Sequence, residues 1–398
     1  MAYPLAEPVH RDLCTDCGIS RTSDPHRCGT ACQFIRPRYA ELEAQVHGRS
    51  RDPNRPDELH FGPFLRLARA RLRSPLPGAQ WTGITTRIGE RLLEEGLVDA
   101  VLATAAHPDD RWRPRPVLVT EAGGMKSCRG MKMGYSPILA LLDEVERQGI
   151  RRLAVVGIPC QVHALRALQE TLELDELRVV GTPCSDNTTT DNFHHFLAKL
   201  SDRPDEITYL EFRADYHVEV RFRDGEVREI PFLQLPLSEL PQDFFPLTCR
   251  SCVDYVNVLS DLTVGYMGGD GDQWLIIRNE RGREMVELLG EELALEEPTS
   301  RGRRKGAVQS FMKAVQRSAD GLPLRKMPSW ARPIVGRLMP LLGPAGTEFA
   351  RTRVEMKAVE SIIQLRRHHP RRIKRMIPSH VWDLASPYGL QPEPEERS

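Results

Sequence analysis

Neither sign of charge is in excess in this chain: 55 Lys and Arg stand against 55 Asp and Glu over 398 residues. A general nucleic-acid binder presents a basic surplus to phosphate, so that class is not expected. No stretch approaches 18 uninterrupted apolar residues, so no spanning helix is expected either. Met1 to Arg11 lacks the apolar centre of a signal peptide, which points to a soluble cytoplasmic protein. The length allows two or three domains with a sizeable core, and 31 prolines with 29 glycines predict long connections.

Nine cysteines carry most of the information: Cys14, Cys17, Cys28, Cys32, Cys128, Cys160, Cys184, Cys249 and Cys252. In a reducing compartment, clustered cysteines act as metal ligands or catalytic groups more often than as disulfides. The first four follow the spacing C-x2-C-x10-C-x3-C, punctuated by Gly18, Pro25 and Gly29. Such an irregular loop can wrap an inorganic core. Structural zinc and a [4Fe–4S] cluster compete for it, and a second cysteine set downstream favours iron–sulfur.

That second set comes from three segments. Leu153–Ile158 reads as a buried strand ending at Pro159-Cys160, and Leu177–Gly181 as another ending at Thr182-Pro183-Cys184. Neighbouring parallel strands would bring Cys160 and Cys184 together at the edge where α/β sheets bind ligands. Cys249-Arg-Ser-Cys252 supplies two more thiols. A lone cysteine is commonly a small buried hydrophobe; the repeated context prefers ligation here. Cys128 is left over and is read as a non-ligand.

Elsewhere the pattern is coarser. Residues 41–79 read as a linker followed by a short amphipathic helix over Phe61–Leu72. Gln80-Trp-Thr-Gly83 introduces a helix with Ile88, Leu92, Leu93 and Leu97 on one face. Its N-terminus could meet a phosphate or a flavin carbonyl, or could simply be capped by Thr82 or Thr85. Strands are predicted at Ala100–Ala103 and Pro116–Thr120, a helix capped by Thr190 or Asp191, and a hairpin turning at Asp224-Gly225. Trp274–Ile277 reads as a strand followed by a helix to Leu289. Beyond residue 300 the chain turns helical and basic, with Arg303-Arg304-Lys305 and the Arg366–Arg372 run. These form a solvated face or dock an acidic partner.

The two cysteine sets, Gln80–Gly83, Gly157-Ile-Pro-Cys160, Gly181-Thr-Pro-Cys184, Cys249 through Gly268, Arg278–Gly282, Met327–Trp330 and Arg366–Pro370 together carry a resemblance. The chain is similar to the beta subunits of deazaflavin-reducing hydrogenases and dehydrogenases. Within that family it most resembles the branch of ferredoxin-dependent chlorophyll-pathway reductases, which holds the BciB-type divinyl chlorophyllide 8-vinyl reductases and the 7-hydroxymethyl chlorophyll a reductases. The resemblance implies an α+β, multi-domain fold. It would have an N-terminal iron–sulfur segment and linker (1–79), a central α/β flavin-binding and second-cluster domain with an added hairpin (80–300), and a basic helical region (301–398).

The resemblance further implies FAD and two [4Fe–4S] clusters, the first on Cys14, Cys17, Cys28 and Cys32, the second on Cys160, Cys184, Cys249 and Cys252. Thr82, Gly83, Thr85, Thr86, Gly265, Gly268 and Asn279 are the flavin candidates. Reduced ferredoxin would supply electrons through the clusters to FAD, and hydride with a proton would convert the C8-vinyl group of divinyl chlorophyllide or protochlorophyllide to ethyl. Asp254, Tyr255 and Tyr266 are weak proton-donor candidates. Met131, Met133 and Tyr135 would line an apolar pigment pocket, and a homotrimer is plausible by family likeness. Reduction of a 7-hydroxymethyl group, a role as one component of a deazaflavin-dependent complex, and a non-enzymatic zinc scaffold are the alternatives.

Overall fold

The computed structural model describes residues 13–213, 215–265, 273–318 and 327–397. Its main sheet has eight strands: β1 (Arg66–Leu72), β2 (Ala100–His107), β3 (Asp110–Val119), β4 (Arg152–Gly157), β5 (Glu176–Gly181), then β9 (Leu262–Gly265), β10 (Gln273–Ile277) and β11 (Leu293–Glu296), in the spatial order β11-β1-β10-β9-β5-β4-β2-β3. The middle of the sheet, β2-β4-β5-β9, is parallel and both flanks are antiparallel. Leu153-Ala-Val and Leu177-Arg-Val-Val are near-continuous runs of buried residues because both faces of these strands are covered.

Helix α1 (Ile84–Glu94) covers one face with Ile84, Ile88 and Leu92, which pack with Val101, Ala154 and Val180. Helix α2 (Pro159–Leu168) covers the other, placing Val162, Leu165 and Leu168 against Leu153, Val155 and Val179. Between β5 and β9, helix α3 (Thr190–Leu200) packs on a three-stranded antiparallel sheet of β6 (Ile207–Phe212), β7 (His217–Phe222) and β8 (Val227–Pro231). Its core joins Trp112, Phe193 and Phe196 to Leu210, Val218 and Val220. The expected hairpin is therefore the outer part of a three-stranded unit. Helices α4 (Glu280–Glu287), α5 (Arg304–Arg317), α6 (Ala331–Leu342) and α7 (Thr347–His368) follow.

Three local expectations are corrected. Residues 66–72 form strand β1, not the end of a helix. Ala68, Ala70 and Leu72 point inward while Arg69 and Arg71 reach Glu296 on β11, a period of two. Helix α1 is capped by neither Thr82 nor Thr85: Gly83 is the cap residue at φ 92°, and a Cβ there would press on Leu76 and Ala79 at 3.0 Å. Thr189 caps α3, its hydroxyl accepting from Asn192 N at 3.1 Å. Strand β1 lies inside the main sheet, and Val354, Val359 and Ile362 of α7 belong to the core beneath it.

Candidate functional site

The second cysteine set gathers at the C-terminal edge of the parallel strands. Cys160 sits in the first turn of α2, behind Pro159 at a position where a missing N–H costs nothing. Asn257 Nδ2 donates to Gly157 O at 2.8 Å and Thr182 O at 3.3 Å, and Cys184 N donates to Tyr255 O at 2.9 Å. These bonds fasten the 249–257 loop across the ends of β4 and β5. Gly181 permits the approach, because a Cβ there would stand 2.6 Å from the Asn257 side chain. The result is a pocket rimmed by Cys160, Cys184, Cys249 and Cys252, with Gln33 and Tyr135 in its wall.

Burial holds protons on these thiols. Cys160 and Cys184 are pushed well above the ordinary range, Cys249 to about 12 and Cys252 to about 11. Hydrogen bonds aimed at sulfur oppose this: Asn187 N reaches Cys249 Sγ at 3.4 Å and Gln33 Nε2 reaches Cys252 Sγ at 3.6 Å. Donors directed at buried sulfur stabilise a thiolate, the form that binds metal.

The first set lies in the irregular segment the sequence suggests. Cys14, Cys17, Cys28 and Cys32 lie close together: burial first, and then charge on neighbouring thiols of the set, raises Cys17, Cys28 and Cys32 above the ordinary thiol range. Asp16 N donates to Cys14 Sγ at 3.4 Å, and Asp16 is itself held by Arg21 at 2.7 Å. Gly18, at φ 114°, lets the segment lie against Pro137–Ala140, where a Cβ would meet Ala140 N at 2.3 Å. The two sets adjoin: the Thr15 side chain bonds Cys160, Gln33 reaches Cys252, and a charge on Cys17 is felt at Cys160.

Among the described residues, no three Cys, His, Asp or Glu side chains close around one ion. Four thiols rimming a cavity suit a polynuclear core better than a single zinc, whose four ligands meet within about 2.3 Å of one point. By donor type, spacing and sulfur-directed hydrogen bonds the residues fit an iron–sulfur cluster.

Most flavin candidates meet at the same edge. Thr82 Oγ1 accepts from Leu72 N at 3.0 Å and contacts Gln273 Oε1 at 3.1 Å, placing Gly83, Thr85 and buried Thr86 beside the start of β10. Gly265 pairs with Trp274 and leaves no room for a Cβ, which would strike Pro183 at 2.5 Å, next to Cys184. Asn279 is separated from them. It caps α4 at the opposite end of β9, accepting from Gly282 N and donating to Asp261 at 2.7 Å. Gly268 and Tyr266 lie outside the described residues.

The remaining candidates have structural work. Buried Asp254 accepts from Asn257 N at 2.8 Å and Val258 N at 3.1 Å, and burial raises it to about 6. Tyr255 is buried beneath the Arg353 guanidinium, 5.8 Å from its ring. Tyr135 borders the thiol cavity, but Met131 and Met133 do not; they pack on the core of the three-stranded sheet. Cys128 is half-buried beside Ser127 and Lys132. Sequence reasoning missed Thr15, Gln33 and Asn187. Two lie within or beside a cysteine motif, which is the signal that could have found them.

Fold and site together define a mixed α/β protein with two adjoining sets of four thiols at one sheet edge. Residues 67–143 match the N-terminal part, and residues 150–301 the C-terminal part, of the beta chain of coenzyme F420 hydrogenase/dehydrogenase. The chain is 36% identical to rice 7-hydroxymethyl chlorophyll a reductase, over 95% of this chain and 83% of that protein. It is also 36% identical to an uncharacterized protein of Nostoc sp., over 97% and 96%. Among solved structures, a chain of the F420-reducing [NiFe] hydrogenase complex of Methanosarcina barkeri shares the fold, with TM-score 0.54 and 23% identity over 62% of this chain and 84% of that one. The protein belongs to the coenzyme F420 hydrogenase/dehydrogenase beta-subunit family.

Proposed function

We propose that this protein is a ferredoxin-dependent iron–sulfur flavoprotein that reduces a peripheral group of a chlorophyll-type pigment, with the C8-vinyl of divinyl (proto)chlorophyllide as the first-choice substrate. The observation that carries this reading is the adjacency of the two thiol sets, tied through Thr15 and Gln33. When bound, two [4Fe–4S] clusters supply single-electron transfer and FAD delivers electrons in pairs, which suits a vinyl-to-ethyl reduction that takes up two electrons and two protons.

The chain's own residues supply the setting. Cys14, Cys17, Cys28 and Cys32 would hold one cluster, and Cys160, Cys184, Cys249 and Cys252 the other. The turn Thr82–Thr86 and the end of β9 at Gly265 are the proposed flavin contacts, since they share an edge with Cys184. Tyr135 presents an aromatic wall beside the thiol cavity. Exposed Arg301, Arg303 and Lys305 are the proposed docking surface for an acidic ferredoxin. Self-association would bury the exposed apolar side of α6, where Ile334 and Leu341 are 54% and 74% accessible. A cytoplasmic site of action is part of the same proposal, and no described helix is long and apolar enough to cross a membrane.

A second reading is reduction of a 7-hydroxymethyl group, favoured by the rice relative. Anaerobic purification tests both. About eight irons, eight sulfides and one FAD per chain are expected, with conversion of divinyl chlorophyllide to the monovinyl pigment by reduced ferredoxin. The same cofactors with turnover only of the 7-hydroxymethyl pigment would replace the first substrate by the second. Turnover only with reduced deazaflavin would overturn the ferredoxin claim. Zinc without flavin would overturn the enzyme reading.

A further inference from the structure

Helix α7 lies across the second thiol set and carries a buried cation there. Lys357 is 3% exposed. Its Nζ donates to Cys249 O and to Asp186 Oδ1, each at 2.8 Å, with Glu360 at 3.5 Å. Positions 353, 357, 360 and 361 share one helix face. From that face Arg353 donates to Ser185 Oγ at 2.5 Å and Ser361 Oγ to Cys252 O at 3.0 Å. The face therefore touches the residues flanking Cys184, Cys249 and Cys252. The family match ends at residue 301, so this cation comes from a part of the chain outside it.

We infer that Lys357 is a fixed positive charge that raises the reduction potential of the cluster held by Cys160, Cys184, Cys249 and Cys252, and that Asp186 moderates it. The inference rests on the cluster reading above. The Asp186 carboxylate at 2.8 Å, with Glu360 at 3.5 Å, gives the buried ammonium its partners. Reduction adds one negative charge to a cluster. A cation in a low-dielectric surrounding therefore stabilises the reduced state more than the oxidised one. Lys357 acts through the cluster and is not a catalytic residue.

A bland alternative is that Lys357 and Asp186 form an ion pair that only anchors α7. Two substitutions separate the readings, because both break the pair but they remove charges of opposite sign. Redox titration of the anaerobically purified full chain, followed by electron paramagnetic resonance, reads the two cluster potentials. Lys357→Gln is expected to lower one of them, Asp186→Asn to raise the same one, and Lys357→Arg to leave it near wild type. The other potential stays in place in all three. Unchanged potentials, or a shift of the same sign in Lys357→Gln and Asp186→Asn, would overturn the inference while leaving the clusters established. Iron absent from these four thiols would overturn both. If Lys357→Gln fails to retain iron, Asp186→Asn and Lys357→Arg still decide the sign.

Discussion

At the scale of single residues, Glu211 shows how burial turns a common side chain into a pH-dependent element. It is 6% exposed on β6, accepts from Trp81 N at 3.1 Å and contacts the Tyr209 hydroxyl. Burial raises it from 4.5 to about 7. A buried acid with a raised value favours the fold while it is protonated. Its contribution is full below about pH 4.5, declines as pH rises, and is gone above about pH 7. The ionised form costs about 3 kcal/mol of stability at pH 8. Glu211→Gln keeps an acceptor for Trp81 N and removes the charge. The variant is expected to match wild type in thermal unfolding near pH 5 and to exceed it near pH 8. Equal melting at both values would show that Glu211 titrates normally in the fold.

At the scale of elements, legibility followed the strength of the pattern. The strands ending at Cys160 and Cys184 were evident because β4 and β5 are buried on both faces and read as continuous apolar runs. β1 was not. Its inward positions are mostly alanine, a good helix former, and its outward arginines find Glu296 only through tertiary pairing. The cysteine motifs show which residues can ligate, but the fastening groups come from afar: Gln33 reaches Cys252 and Lys357 reaches Cys249 O across the fold. Asn279 stands apart from the other flavin candidates, because a motif shared with a family does not say at which end of a strand it lies.

Asp261 decides how these elements hold together. It accepts from Val179 N on β5 at 2.7 Å, pairs with Arg166 of α2 at 2.8 Å, and meets Asn279 and Arg281 of α4. Asp261 and Arg166 side chains are both fully buried. Burial alone would raise the Asp261 carboxyl, but Arg166 and Arg281 hold it below its usual value. Asp261→Ala leaves the Arg166 guanidinium buried without its counter-charge, an expected loss of about 3–5 kcal/mol. Chemical denaturation would read this directly. A loss under about 1 kcal/mol would mean that water or another carboxylate takes over the pairing.

At the scale of the whole molecule, neutrality conceals an uneven distribution. Residues 301–342 contain ten Lys and Arg against one Asp, although the chain as a whole carries no net charge. Arg301, Arg303, Lys305, Lys313 and Arg317 are exposed in this region, while Arg304 is drawn into pairs with Glu348 and Glu355. A surface field of one sign accelerates encounter with an oppositely charged partner, and salt removes that advantage as the screening length falls from about 10 Å at 0.1 M to about 3 Å at 1 M. On the function proposed above, reduction by ferredoxin is therefore expected to slow by about tenfold or more between about 0.05 M and 0.5 M salt. The double variant Lys305→Glu, Arg317→Glu should reproduce much of that loss at low salt while leaving both cluster potentials unchanged. Stopped-flow reduction at several salt concentrations separates docking from electron transfer. A rate insensitive to salt would place the donor on another face, because exposed charges that steer an encounter must lose their reach when counter-ions screen them.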